Sequence, residues 1–241
     1  MFIISCEDSL FIDTEKNTYH DDISDISYIN NSFFTTNFDL SDNAGDQIDL
    51  IKLGLNDQSE AYMQDKFNLG LNGQGYLSMT NDGKDLFLQS RSTQLIFKVS
   101  TIGELSYTKY DSIGTHWLPS GIAFDTVRDS IIFLYRNQHK NDQYRLRLGS
   151  KEISNTSTRD IQFIISDIDT TSHGVYSMAY AEPYLYMLAV KDGEDVLVTF
   201  NYEELTIENT QSIEDSTVVG IEVLNSSIYL GYRDRRIGTL R

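Results

Sequence analysis

The chain has little cysteine, little proline and little positive charge. Cys6 is the single cysteine among 241 residues. No internal disulfide can form, so stability must come from a packed core, and a reducing compartment fits. Cys6 lies in the apolar run 2–6 and reads as a small buried hydrophobe. Pro119 and Pro183 are the only two prolines, which excludes a long Pro-rich linker. Lys and Arg total 19 against 36 Asp and Glu, a net charge of -17. Such a surface repels phosphates and anionic lipids. Neither nucleic acid nor a membrane is expected as a direct partner, whereas a protein with a basic surface is. Long hydrophobic runs are also missing. The run 184–190 is far shorter than the roughly 20 residues a helical membrane span needs. The N-terminus shows no basic segment followed by a long apolar stretch, so no signal peptide is expected. These features together predict a cytoplasmic or nuclear protein.

Catalytic signatures are absent as well. There is no Gly-x-Ser-x-Gly, no His-Glu-x-x-His and no phosphate loop. No catalytic residue, no metal and no cofactor is assigned from sequence, and the chain is expected not to be an enzyme. Asp167, Asp169 and His173 put two carboxylates and an imidazole close together, but alternating acids arise on any solvated strand of so acidic a chain.

What the chain does have is β patterning. Aromatics make up 12%, with 15 Tyr and 12 Phe, and these suit half-buried pleated surfaces. Period-2 alternation and apolar runs bounded by turn residues recur throughout. No amphipathic helix longer than about two turns is evident. The segment 57–67 is either a short helix or an outer strand.

The pattern repeats. A strand, a small polar turn and a more apolar second strand occur at 75–88, 121–135 and 220–230. Aligning the copies on that turn gives anchors at Phe33, Leu86, Ile131, Leu185 and Ile228, so consecutive anchors lie 53, 45, 54 and 43 residues apart. Four-stranded propeller blades need about 40 to 50 residues each. The reading is an all-β chain, a single β-propeller domain over 1–241 with about five four-stranded blades, six being the alternative. In the second copy the strands are expected at 75–80, 85–90, 94–100 and 105–110. Asn81-Asp82-Gly83-Lys84 forms the first hairpin, since Asp and Gly tolerate positive φ. Asp192-Gly193 plays the same part later. Ser78, Ala123 and Ala179 are small, as a crowded axis requires.

A ring must close. Residues 220–240 supply three strands, and residues 2–6 and 9–14 read as two more, so N- and C-terminal strands are expected to share a blade. Glu7, Asp8, Asp13, Glu15, Asp21, Asp22 and Asp25 oppose Arg233, Arg235, Arg236 and Arg241, a charge match that favours pairing. Five strands are one too many for a blade, so the seam is also where a partner could add a strand.

The segment Met79-Thr80-Asn81-Asp82-Gly83-Lys84-Asp85-Leu86-Phe87-Leu88, followed by Thr93 to Val99, resembles the repeat unit of WD40 and YVTN/lactonase-type propellers. Pro119-Ser120-Gly121-Ile122-Ala123-Phe124-Asp125 resembles an NHL-type blade start, and residues 229–237 resemble a terminal WD40-like hairpin. The Gly-His and Trp-Asp dipeptides of WD40 repeats are missing. The resemblance therefore implies the propeller fold and names no activity.

Loops entering the inner strands surround one channel mouth. Gln74, His116, Trp117, Ser120, His173 and Tyr176 fall there and form a candidate binding rim. Arg233, Arg235 and Arg236 are added as the seam candidates. Arg145 and Arg147 alternate with Tyr144 and Leu146 and read as a solvated edge or a contact patch. The leading functional expectation is a protein–protein interaction propeller, a non-enzymatic adaptor or scaffold subunit. The alternative is a small-molecule or carbohydrate binder, or a metal-dependent lactonase-like hydrolase, working at the channel mouth.

Overall fold

The computed structural model describes residues 9–10, 22–38, 47–55, 61–72, 77–91, 93–110, 116–140, 143–150, 159–164, 174–233 and 236–240. Among them every regular element is a strand. β1 (Ser9–Leu10) comes first. Blade 1 follows with β2 (Asp22–Ile29), β3 (Ser32–Phe38), β4 (Gln47–Leu55) and β5 (Ala61–Asn72). Blade 2 holds β6 (Leu77–Asn81), β7 (Asp85–Ser90), β8 (Leu95–Ser100) and β9 (Leu105–Tyr110). Blade 3 is β10 (Trp117–Asp125), β11 (Ser130–Asn137), β12 (Gln143–Ser150) and β13 (Arg159–Ile164). Blade 4 is β14 (Val175–Ala181), β15 (Tyr184–Lys191), β16 (Glu194–Asn201) and β17 (Thr206–Ser212). Blade 5 begins with β18 (Val218–Leu224), β19 (Ser227–Tyr232) and β20 (Ile237–Leu240). Its fourth strand is β1, paired antiparallel to β20 through Ser9↔Gly238 and Leu10↔Ile237.

The fold is thus a five-bladed β-propeller closed by a strand from each end of the chain. All five anchors fall in second strands: Phe33, Leu86, Ile131, Leu185 and Ile228. Ser9–Leu10 takes the fourth place in blade 5; residues 2–6, read as a further strand, lie outside the described residues. Of the segment 57–67, residues 61–67 form the start of β5, an outer strand; residues 57–60 lie outside the described residues.

Ring closure is visible in the packing. Inner strands touch in the order β2, β6, β10, β14, β18 and back to β2. Five apolar clusters fill the five gaps between adjacent blades. Each blade feeds both of its neighbours. Ile131, Phe133 and Tyr135 point toward blade 2, while Ile132 and Leu134 point toward blade 4. A sheet covered on both faces needs apolar residues at both parities, which is why the second strands read as continuous hydrophobic runs. Trp117 lies in the cluster between blades 2 and 3. Arg145 stacks 4.2 Å above its ring, and Arg147 lies 5.9 Å from the Tyr135 ring. Neither arginine presents the solvated edge read from the alternation; both lie half-buried against aromatic faces, where a guanidinium is favoured.

Candidate functional site at the channel mouth

The inner strands begin at the mouth, and among the described residues four of them carry a register shift there. The shifts fall between Ile23 and Ile26, Pro119 and Gly121, Val175 and Ser177, and Val218 and Gly220. A bulge re-aims the side chain of its extra residue. Ser24, Tyr176 and Val219, all within these shifts, line a cavity of about 530 Å³ at the mouth.

At this end of the inner strands, Asp25, Ser78, Gly121, Ser177 and Gly220 occupy one equivalent position. The cross-strand pairs one residue on fix the alignment: Ile26↔Thr35, Met79↔Leu88, Ile122↔Phe133, Met178↔Met187 and Ile221↔Leu230. Asp25 is fully buried. Its Oδ1 accepts from the Ile26 amide at 2.9 Å and the Ser177 hydroxyl at 2.7 Å. Its Oδ2 accepts from the Met79 amide at 2.9 Å. Ser177 Oγ in turn accepts from the Ile221 amide at 3.0 Å. One carboxylate therefore ties blades 1, 2 and 4 together and reaches blade 5 through Ser177. The other four residues at this position are small because space is short: a Cβ on Gly220 would lie 2.6 Å from Ile26 N and 2.8 Å from Asp25 Oδ1. Burial pushes the Asp25 carboxyl up to about 7, against the pull of its hydrogen bonds and of the Arg91 charge. Two residues further along, half-buried Glu222 accepts from the Tyr28 amide at 2.9 Å and the Ser27 hydroxyl at 3.2 Å. Burial raises it too, to about 7.

The cavity above Asp25 is basic although the protein is acidic. Arg91, Arg136 and Arg233 all line it. Each sits five residues beyond its blade's anchor, at the end of the second strand, and Val190 fills the same repeat position in blade 4. Arg91 Nε donates to Ser78 Oγ at 3.1 Å. On blade 4, between the blades of Arg136 and Arg233, the Tyr176 hydroxyl donates to Asp195 Oδ1 at 3.0 Å. Burial first, and the Asp195 charge second, raise the Tyr176 phenol well above its ordinary range. Leu118, Pro119, Val175, Val190, Val218 and Val219 supply apolar wall. The arrangement suits a small molecule carrying an anionic group and a nonpolar part, with a Tyr–Asp pair able to hold a proton beside it.

Of the rim residues expected from sequence, Tyr176 lines the cavity; Arg233, expected at the seam, lines it as well. Trp117 faces the gap between blades instead, its carbonyl accepting from Gln94 Nε2 at 2.9 Å. Ser120 is buried and donates to the Val175 carbonyl, joining blades 3 and 4. His116 is exposed on the same face of the ring and meets His139. Gln74, His173 and Arg235 lie outside the described residues, as do Asp167, Asp169 and the acids expected at the seam before Asp22. Arg236 pairs with Asp215 at 2.7 Å, from the β17–β18 connection, and packs 4.6 Å from the Tyr232 ring. Asp25, read as a seam acid, is instead buried among the inner strands and bonded to Ile26, Met79 and Ser177. Arg91, Arg136 and Asp195 are not singled out by the sequence, and Asp25 is singled out only as a seam acid. Reading down the repeat at five residues past each anchor finds the arginines; nothing in the local sequence marks Asp25 beyond an acid inside an apolar strand.

No family model and no curated protein matches the chain. Solved structures do. A glutaminyl cyclase from Myxococcus xanthus superposes with a TM-score of 0.63 at 13% identity, covering 92% of this chain and 91% of that one. A chain of a nidogen/laminin complex gives 0.53 at 10% identity, covering 87% and 72%. Both likenesses are to β-propellers, and the expected resemblance is confirmed at the level of the fold. One expectation is corrected. Missing sequence motifs had spoken against an enzyme, yet a propeller that superposes over nearly its whole length is named as a cyclase. A lack of familiar motifs on this fold is no argument against catalysis.

Proposed function

We propose that this propeller binds a small organic anion at the channel mouth, its acidic group clasped by Arg91, Arg136 and Arg233. The observation that carries the reading is the placement of three arginines at one repeat position around one cavity, in a chain of net charge -17. Guanidinium–carboxylate and guanidinium–phosphate contacts are strong and directional. The apolar wall then selects the rest of the ligand. The test is a thermal-shift screen of mono- and dicarboxylates, sugar acids and phosphate monoesters at constant ionic strength, followed by calorimetry. Binding should raise the melting temperature. Arg136→Gln should weaken a bound anion by about tenfold or more, in line with the loss of one charged hydrogen-bond donor. A screen without a shift, or one whose shift survives replacement of all three arginines by Gln, would refute the proposal.

A second reading is an adaptor that holds a partner with a basic surface. It is supported by the acidic surface and by β17, whose residues Thr206–Ser212 are almost all exposed at a sheet edge, a template for strand addition. A stoichiometric partner recovered with the Arg-to-Gln triple variant, but lost when Thr210 is replaced by Pro, supports this reading over the first.

A further inference from the structure

We propose that His116 and His139 form a chelating site for a late first-row divalent ion, with Zn²⁺ as its reference occupant, on the rim of the channel mouth. This inference stands apart from the arginine cavity and does not depend on it. His116 Nδ1 and His139 Nε2 lie 3.1 Å apart, with ring centroids 5.0 Å apart and planes at 63°. Both rings are exposed. Two imidazole nitrogens bound to one zinc at about 2.0–2.1 Å, with a bond angle of roughly 90–110°, are separated by about 2.8–3.4 Å. The observed separation falls inside that window.

The backbone holds the pair in place. Trp117↔Asn137 is the outermost rung of the β10–β11 ladder. The Gln138 amide extends the ladder by donating to the His116 carbonyl at 2.9 Å. The Asn137 side chain then accepts from the His139 amide at 2.9 Å, setting the turn that carries the second ring. Two ligands so fixed lose little freedom on binding an ion. Two protein donors leave coordination positions for water or for an exogenous group, the pattern of an open site rather than a closed structural one. The negative field of the whole chain raises the local concentration of cations. Leu118↔Arg136, the next rung but one inward from His116, lines the cavity, so the ion would sit beside the mouth.

The competing account is a plain hydrogen bond, one neutral ring donating to the other, and metal titration separates the two. Untagged full-length protein, stripped with a chelator, is titrated with Zn²⁺ against a chromogenic competitor. It is then loaded with one equivalent of Cu²⁺ for electron paramagnetic resonance. One ion per chain is expected, with hyperfine structure from two imidazole nitrogens. His116→Ala or His139→Ala should each weaken Zn²⁺ binding by more than about tenfold and leave the melting temperature of the metal-free protein unchanged. Affinity should fall on acidification, because protons compete for the ligand nitrogens. The proposal is overturned by an absence of stoichiometric binding, by a signal from fewer than two nitrogens, or by binding that persists in the double variant.

Discussion

Replacing Asp25 with Asn should change the sign of its effect with pH. Three donors from three blades converge on this carboxylate, yet complete burial dominates and lifts its pKa from 3.8 to about 7. The folded protein therefore keeps a proton that the unfolded chain has released. Between those two values stability must fall as pH rises, at roughly 1.4 kcal/mol per pH unit while the difference is fully developed. From pH 5 to pH 8 this amounts to roughly 2–3 kcal/mol. Asn carries no charge and does not titrate. At pH 5 it mimics the protonated acid, apart from an amide group facing donors, at a cost of about 1–3 kcal/mol. At pH 8 the wild type has lost the advantage of its proton, and the variant should equal or exceed it. Glu222 is shifted in the same direction, so the wild-type curve alone cannot separate the two groups. The difference between wild type and variant isolates Asp25. Urea unfolding followed by Trp117 fluorescence at pH 5, 6, 7 and 8 measures it. A wild-type-minus-variant difference that stays constant across that range would mean that Asp25 is ionised throughout, and that its three hydrogen bonds outweigh burial.

Other perturbations test the packing around the axis. Gly220→Ala should cost about 1–3 kcal/mol or more, because its Cβ would meet Ile26 N and Asp25 Oδ1 and the backbone must move; Gly83→Ala, with open space at φ +84°, should cost only about 1 kcal/mol, and paired chemical melts give the contrast. Arg145→Ala should shift the emission of the single tryptophan, which the guanidinium covers at 4.2 Å, and destabilise by about 1 kcal/mol; an unchanged spectrum would contradict the stacking. Asp215→Ala removes the partner of Arg236, a pair exposed by 36% and 22%, and should cost less than about 1 kcal/mol in denaturant melts. Deleting residues 1–12 removes β1, leaves β20 as an unpaired edge, and should lower the urea midpoint and promote self-association in sedimentation.

The fold was legible because its determinants are local and repeated. Turn residues such as Asp82-Gly83 and Asp192-Gly193 fix hairpins by backbone freedom alone, and Gly83 and Gly193 indeed take φ of +84° and +83°. Double-sided burial leaves continuous apolar second strands, so five anchors could be counted and all proved to be second strands. The site was less legible for a physical reason. Its residues come from different blades, and only the repeat register brings them together. Tyr176 could be read from its position, whereas Arg233 read as a seam residue and Trp117 could not be separated from the rim: an aromatic beside a loop can turn either toward the channel or into the gap between blades. Here the ring of Phe87 and Ile96 on blade 2 gives it apolar surface to cover, and burial decides.

Asp25 shows where local reading stops. Small residues on the inner strands look like a response to crowding of backbones at the axis. At the position that Asp25 shares, crowding is only half of the account. Gly220 is small because the Asp25 carboxylate and the Ile26 amide occupy the space of its side chain. Ser177 is small and also polar, since it must donate to Asp25 while accepting from the Ile221 amide. Five near-equivalent strands cannot each place a carboxylate at the axis, because like charges at such distances would raise one another's pKa beyond what burial already does. One blade supplies the acid and the others adapt to it. The fivefold repeat is thus broken at the layer beneath the mouth, while three blades still contribute an arginine to the cavity above. Blade 4, set between the blades of Arg136 and Arg233, contributes Tyr176 and Asp195 instead, an asymmetry that an anion with a single acidic end can read and a symmetric ring could not offer.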